Sequence, residues 1–315
     1  ELEIGGQKID KQYSHWMYIW NELSLPYSKR EGYKKMVGGY GDVLSATSND
    51  QLYIPLEFWF CRNVGLALPL IALQYHEVKV NILFQTAEKC QGSTTALASP
   101  LGASSLWVDY IFLDTDERRR FAQLSHEYLI EQLQFTGTES LSGVQAKPKL
   151  SFNHPCKELF WFVTATGNST AGVDNVNWYN FTNDQSGTTV ATVNTKVEAR
   201  SAVTSVNPIA SAKLVLNGND RFSERNGSYF NTIQPYQHHE NVPTNAGINV
   251  YSFALKPEEH QPSGTLNMSR IDTAVLNLNL NSVYTASRDK ALHVYAVNYN
   301  VLRILSGMGG LAYSN

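Results

Sequence analysis

The chain has 315 residues, with 25 Lys plus Arg against 28 Asp plus Glu, a net charge of −3 and only 17% charged residues. Proteins that grip phosphate backbones carry a basic surplus, so this balance argues against nucleic acid as the principal ligand. With 43% hydrophobic and 11% aromatic residues, the composition excludes intrinsic disorder and is sufficient for one large core or two smaller ones.

Taken from the N-terminus, Glu1 to Gly6 alternates as a strand and lacks the basic region, apolar stretch and cleavage site of a signal peptide. The longest apolar run, Val64 to Leu73, is interrupted by Pro69 and is far shorter than the roughly 20 residues that cross a bilayer. Cys61, Cys90 and Cys156 are odd in number and far apart, which points to reduced thiols rather than a disulfide framework or a zinc knuckle. Lys79–Phe84 (KVNILF) and Leu106–Leu113 (LWVDYIFL) read as strands. Thr115 to Gln134 is the one good helical candidate, capped by Asp114 or Thr115, with acidic residues first and Arg118 to Arg120 after, although Tyr128 to Phe135 also fits a strand. Leu159–Thr164 (LFWFVT), Lys213–Leu216 (KLVL), Ala274–Leu280 (AVLNLNL) and His293–Ile304 (HVYAVNYNVLRI) complete the strand set. Between about residues 165 and 205 the composition shifts to Thr, Asn, Ser and Asp, the pattern of a long surface excursion.

The chain is weakly self-similar. Leu2-Glu3-Ile4-Gly5-Gly6 matches Leu214-Val215-Leu216-Asn217-Gly218, and each is followed by a polar turn and an aromatic-rich stretch, Tyr13–Trp20 and Tyr229–Tyr236. On that alignment Leu106–Leu113 is the counterpart of His293–Ile304, and the polar stretch Gly137–Lys149 is the seam between two copies of an all-β unit.

Each motif tested for chemistry lacks a required member. His76-Glu77 and His126-Glu127 have no second His one helical turn on, as a zinc protease needs. Asp114-Thr115-Asp116 begins like a calcium loop, but Arg119 stands where the turn needs Gly and Ser125 where the bidentate Glu belongs. Gly307 to Ala312 fits the dinucleotide fingerprint formally, with no helix after it to receive a pyrophosphate. His238-His239-Glu240 and Glu258-Glu259-His260 are the densest sets of potential ligands. Neighbours on an extended chain point apart, so the expectation there is structural pairing and not a metal site. Asn168, Asn180, Asn226 and Asn267 each open an Asn-x-Ser/Thr sequon and are candidate glycosylation sites. The aromatic runs are expected to fill core and sheet.

Several long stretches carry a resemblance: PLIALQYHEVKVNI (Pro69–Ile82), YIFLDTDERRRFAQLSHEYLIEQLQ (Tyr110–Gln134), SFNHPCKELFWFV (Ser151–Val163), NDRFSERNGSYFNTIQPYQHHENVP (Asn219–Pro243), SFALKPEEHQPSGTLNMSRID (Ser252–Asp272) and YAVNYNVLRILSGMGGLAYSN (Tyr295–Asn315). In this order they resemble the major capsid proteins of nucleocytoplasmic large DNA viruses, of the iridovirus and algal-virus type. The resemblance implies an all-β fold of two tandem eight-stranded jelly rolls, residues 1–140 and 141–315, with upstream strands of the first roll absent from this sequence and the excursion at 165–205 within the second. It implies a homotrimer with pseudo-hexagonal outline that tiles an icosahedral shell, contacts with neighbouring capsomers and minor capsid proteins, and an inner viral membrane nearby. It further implies a place in the virion after assembly in the host cytoplasm, with no direct nucleic-acid contact, no catalytic site, no cofactor and no metal. On this reading Asp114–Arg120 and Gln234–Pro262 serve structure or subunit contacts. A β-sandwich glycan-binding protein of the lectin kind is the alternative, since Trp, Tyr and Asn-rich loops supply stacking faces and amide contacts.

Overall fold

A computed structural model describes residues 1–38, 51–85, 104–165, 178–182, 207–281 and 290–313. Cys90, Asn168 and nearly all of the excursion expected at 165–205 lie outside the described residues. The described chain is built on two antiparallel sheets packed face to face. The main sheet contains β4 (His126–Leu141), β7 (Pro155–Ala165), β11 (Asn249–Ser252), β12 (Leu266–Asn267), β14 (Lys290–Leu305) and β15 (Met308–Leu311). The facing sheet contains β5 (Gln145–Ala146), β6 (Lys149–Leu150), β8 (Ile209–Leu216), β9 (Asn219–Asp220), β10 (Arg225–Asn226) and β13 (Ala274–Leu280). A third, three-stranded sheet joins β1 (Leu2–Ile4), β2 (Gln7–Asp10) and β3 (Val78–Val80).

The hydrophobic period explains the layers. In β13, Ala274, Leu276, Leu278 and Leu280 point inward while Val275, Asn277 and Asn279 face out, the alternation of a strand buried on one face. They pack with Ala212 and Leu214 of β8 against Leu159, Trp161, Val163, Leu292, Val294 and Ala296 of the main sheet. β7 and β14 are apolar on both faces because both faces are covered. Beyond the sandwich core, Phe160, Phe162, Tyr295 and Val297 bury against Trp16, Tyr18, Ile19, Trp20 and Leu23 of helix α1 (Ser14–Ser24). Farther along the same strands, Ile130, Leu302 and Ile304 bury against Leu2, Ile4 and Ile9 of the N-terminal hairpin.

Both members of the sequence repeat fold as two-residue hairpins. Gly5 and Gly6 join β1 to β2 at φ of 58° and 81°, and Asn217 and Gly218 join β8 to β9 at 49° and 81°. Two left-handed residues in succession give the turn whose twist matches paired strands, which is why Gly and Asn stand there. Each hairpin is followed by a helical stretch: α1 in the first case, a π-turn at Tyr229–Ile233 in the second.

Three expectations are modified. The helix expected over Thr115–Gln134 ends early: it spans Thr115–Gln123, with Asp114 accepting the Thr115 amide at 2.7 Å. From His126 on, the chain pairs residue by residue with β14, so the strand alternative for Tyr128–Phe135 prevails. Of Lys79–Phe84 only the start pairs, with β1, and Leu106–Leu113 forms no ladder among the described residues. Its Trp107 and Phe112 are 81% and 94% exposed, so apolar content alone did not produce a strand without a partner edge.

Trp161→Ala would open a cavity in the inter-sheet core and is expected to cost about 3–5 kcal/mol, whereas Tyr236→Ala at an exposed site should stay within about 0.5 kcal/mol. Urea unfolding midpoints of the two variants test the difference.

Candidate functional site

The sequence CKELFWFV places two charged residues inside a strand that is otherwise apolar. Trp161 and Leu159 face the inter-sheet core, and strict alternation would send Cys156 to the other face, yet Cys156 lies in that same core. A bulge accounts for this: Glu158 pairs with Val297 and Cys156 with Asn298, so Lys157 is the extra residue. Its carbonyl is taken up by the amides of Phe253 and Ala254 at 2.8 and 3.3 Å. Glu158 follows Phe160 and Phe162 onto the face covered by the N-terminal half, and the bulge turns the Lys157 side chain to that face as well, where both are fully buried.

Lys157 Nζ donates to Glu131 Oε1 of β4 and to the Pro257 carbonyl, each at 2.6 Å. The other Glu131 oxygen accepts from Arg62 Nη1 at 2.7 Å. Arg62 closes the short helix α3 (Trp59–Arg62), donates to the Glu57 carbonyl at 2.8 and 3.2 Å, and sets its guanidinium 4.2 Å from the Trp20 ring of α1. One largely enclosed carboxylate is therefore shared by two cations from different parts of the chain, and an α1 aromatic roofs them. An unpaired buried charge would cost several kcal/mol, so these partners hold the halves in one arrangement.

The sets His238-His239-Glu240 and Glu258-Glu259-His260 are brought together in part. His239 Nδ1 meets Glu258 Oε1 at 2.9 Å, and its Nε2 lies 2.9 Å from Glu158 Oε1, a charge pairing and not an aligned hydrogen bond. His238 bonds the Leu255 carbonyl, Glu259 pairs with Lys256, and Glu240 contributes its amide to Glu258. Burial pulls the His239 imidazole down, but Glu158 and Glu258 outweigh it and hold the group up at about 9. Among the described residues, no group of three or more His, Cys, Asp and Glu is arranged to hold a metal ion.

Other sequence candidates take structural posts. His76 Nδ1 meets the backbone of Gly309, and His126 Nε2 the carbonyl of Phe121. Gly307 to Ala312 forms the turn and outgoing strand of the β14–β15 hairpin. Burial pushes the Cys156 thiol far up, away from nucleophilic use. Asn226 and Asn267 are exposed, while Asn180 is buried with Oδ1 accepting from the Thr182 amide and hydroxyl at 3.1 and 2.8 Å. The Arg62–Glu131–Lys157 network was missed from sequence; its one visible signal is the Lys-Glu pair interrupting an apolar strand.

The stitching of the two halves continues along α1. Glu22 accepts from Thr244 Oγ1 at 2.6 Å, the Asn241 amide donates to the Leu23 carbonyl at 2.9 Å, and Asp10 accepts the Leu133 amide at 3.0 Å. A family model described as the large eukaryotic DNA virus major capsid protein matches residues 117–310, and one described as the major capsid protein N-terminus matches residues 1–114. The chain belongs to the major capsid protein family of large eukaryotic DNA viruses. The major capsid protein of Pyramimonas orientalis virus is 51% identical over 100% of this chain and 76% of its own length, and that of Paramecium bursaria Chlorella virus 1 is 45% identical over 100% and 78%. In the quasi-atomic model of the PBCV-1 capsid, a chain 40% identical superposes with a TM-score of 0.74, covering 100% of this chain and 83% of that one. The Faustovirus major capsid protein, at 13% identity and a TM-score of 0.71 over 96% of this chain and 71% of its own, shares the fold. The fold is thus all-β, of the double jelly-roll kind.

Lys157→Met would leave Glu131 with one cation and the Pro257 carbonyl with none, at an expected cost of about 3 kcal/mol in urea unfolding. His239 is held above its unfolded value, so its contribution is full below about pH 6.5 and is lost as pH rises through about 9. His239→Gln should flatten the alkaline limb of stability against pH while leaving a neutral-pH fold.

Proposed function

We propose that this protein is a structural major capsid protein, resident in the virion, whose copies form trimeric capsomers of pseudo-hexagonal outline that tile the icosahedral shell of a large DNA virus. The observation that carries this reading is the match to named capsid proteins across the whole chain at up to 51% identity. A buried charge network that fuses the two halves of the chain supports it, because a shell unit transmits force between neighbours and has to resist shear within itself. Near-neutral charge suits the role as well, since a large net charge would make each copy repel the next. Capsomer neighbours and minor capsid proteins are the partners, an inner viral membrane lies nearby, and assembly takes place in host cytoplasm. Nucleic acid is not a direct ligand.

The sequence reading sets the rolls at residues 1–140 and 141–315; a seam nearer residue 115 is the boundary we propose. Two observations support it: the two family models meet between residues 114 and 117, and β4 is hydrogen-bonded to β14. Of the three sequons among the described residues, Asn226 and Asn267 are accessible acceptors and Asn180 is shielded, because glycan transfer needs an exposed amide nitrogen.

Native mass measurement of the purified chain should give a species of three protomers, and electron microscopy should show three-fold particles with a six-sided outline. A monomer that binds an immobilised sugar and forms no larger particle would favour the lectin alternative. Among these three sequons, peptide mapping of virion protein should find any glycan in peptides holding Asn226 or Asn267, and a modified Asn180 would contradict the burial argument.

A further inference from the structure

The contact between α1 and the outer face of the main sheet contains a pair of histidines outside the charge network, His293 buried and His15 partly buried. His15, in the first turn of α1, presents its ring edge-on to Phe162, Phe181 and His293 at centroid distances of 5.4, 5.6 and 5.4 Å. His293, on β14, lies parallel to Phe162 of β7 at 4.7 Å and to Phe135 of β4 at 5.9 Å, stacked between neighbours on the two adjoining strands. His15 Nε2 sits 3.2 Å from the Trp178 carbonyl, an acceptor only, so this nitrogen carries the proton and donates. His293 Nε2 is 2.9 Å from Thr164 Oγ1, and its Nδ1 is buried with no hydrogen-bond partner among the described residues.

No carboxylate among the described residues is in hydrogen-bond or ion-pair contact with either imidazole. On the surrounding elements, Glu22 of α1 is engaged by Thr244 and Arg30, and Glu139 of β4 is exposed on the strand beyond Phe135. Tyr179 stands edge-on to His15 at 6.1 Å, Tyr13 and Tyr295 pack on Phe135, and Lys290 lies three residues before His293 on β14. A proton added to either ring would therefore place a cation beside a second imidazole, among aromatic faces, with no counter-charge in contact.

We propose that His15 and His293 form an acid-responsive latch, in which protonation of either imidazole releases α1 from the outer face of the main sheet. Burial holds His15 down at about 4 and His293 down at about 3, where His15 adds to the effect. Both groups are lowered from about 6.5, so the closed state binds fewer protons than the open one and closure weakens as pH falls below about 6.5. Between pH 8 and 5 the linkage amounts to roughly 30-fold in the closing equilibrium for each ring, and about 1000-fold for the two together. Asp10, raised to about 6 by burial, responds in the opposite sense, as does His239, so global stability mixes the contributions and a local readout is required. The latch concerns the single chain and stands apart from the assembly reading.

Hydrogen exchange of the whole chain, followed on peptides from residues 14–24 at pH 8, 7, 6 and 5 and corrected for intrinsic rates, tests the latch. Protection of α1 should fall by up to about 1000-fold on acidification, while peptides around Gln234–His239 keep theirs. The double variant His15→Phe/His293→Phe keeps aromatic faces without a titrating group and should abolish most of that fall. Unchanged α1 protection in the wild-type chain, or an equal fall in a folded double variant, overturns the proposal. If the variant does not fold, carbon-13 histidine titration of the wild-type chain decides: both rings should remain neutral at pH 6, and a midpoint near 6.5 for either one would refute the latch.

Discussion

The arrangement of the whole molecule depends on a single partly buried carboxylate, Glu131, and on the bulge that delivers a cation to it. Without an extra residue at Lys157, alternation along β7 would leave Cys156 on the wrong side of the sheet and deprive Glu131 of one of its two positive partners. A buried charge tolerates few geometries, because the attraction that offsets desolvation falls away once the partner shifts or water enters. Hydrophobic contact between α1 and the main sheet supplies most of the adhesion, but it is nondirectional. The network of Arg62, Glu131 and Lys157 adds a direction to it, fixing the α3 segment, β4 and β7 relative to one another.

That division of labour suits a shell subunit. A capsomer is loaded from its edges, and the weakest plane inside the subunit would otherwise be the one between its halves. Here the plane is crossed by aromatic packing, a shared carboxylate, the bonds of Glu22 and Asn241 to either side, and the amide of Leu133 to Asp10. The polar groups there are engaged mainly with backbone or with each other. The His239 clamp and the His15–His293 pair sit on the same sheet with opposite electrostatic surroundings: two carboxylates around one, only aromatic and neutral groups in contact with the other two. Identical side chains thus answer pH in opposite senses because their neighbours differ.

Much of the sandwich was legible in one dimension. AVLNLNL forms β13 with its leucines inward, HVYAVNYNVLRI lies within β14, and LFWFVT lies within β7. The short repeat of an aliphatic strand followed by Gly-Gly or Asn-Gly marked two hairpins, since few residues accept consecutive left-handed conformations. Pattern failed where the outcome depended on a distant partner. Tyr128–Phe135 has both helical and strand character, and a ladder with β14 settles it, whereas LWVDYIFL has strand composition and no ladder among the described residues.

The chemistry of the site divides along the same line. The residues themselves established the all-β class, the absence of every catalytic motif tested and, through long ordered stretches of resemblance, the capsid family, because these are properties of local spacing and residue type. The pairing of His239 with Glu158 and Glu258, the sharing of Glu131 and the contact of His15 with His293 join positions separated by up to hundreds of residues in the chain. Such meetings follow from strand order and from one bulge that changes which face a lysine occupies. No periodicity encodes them, since a shift of a single residue in register would place the same side chains on opposite sides of the sheet.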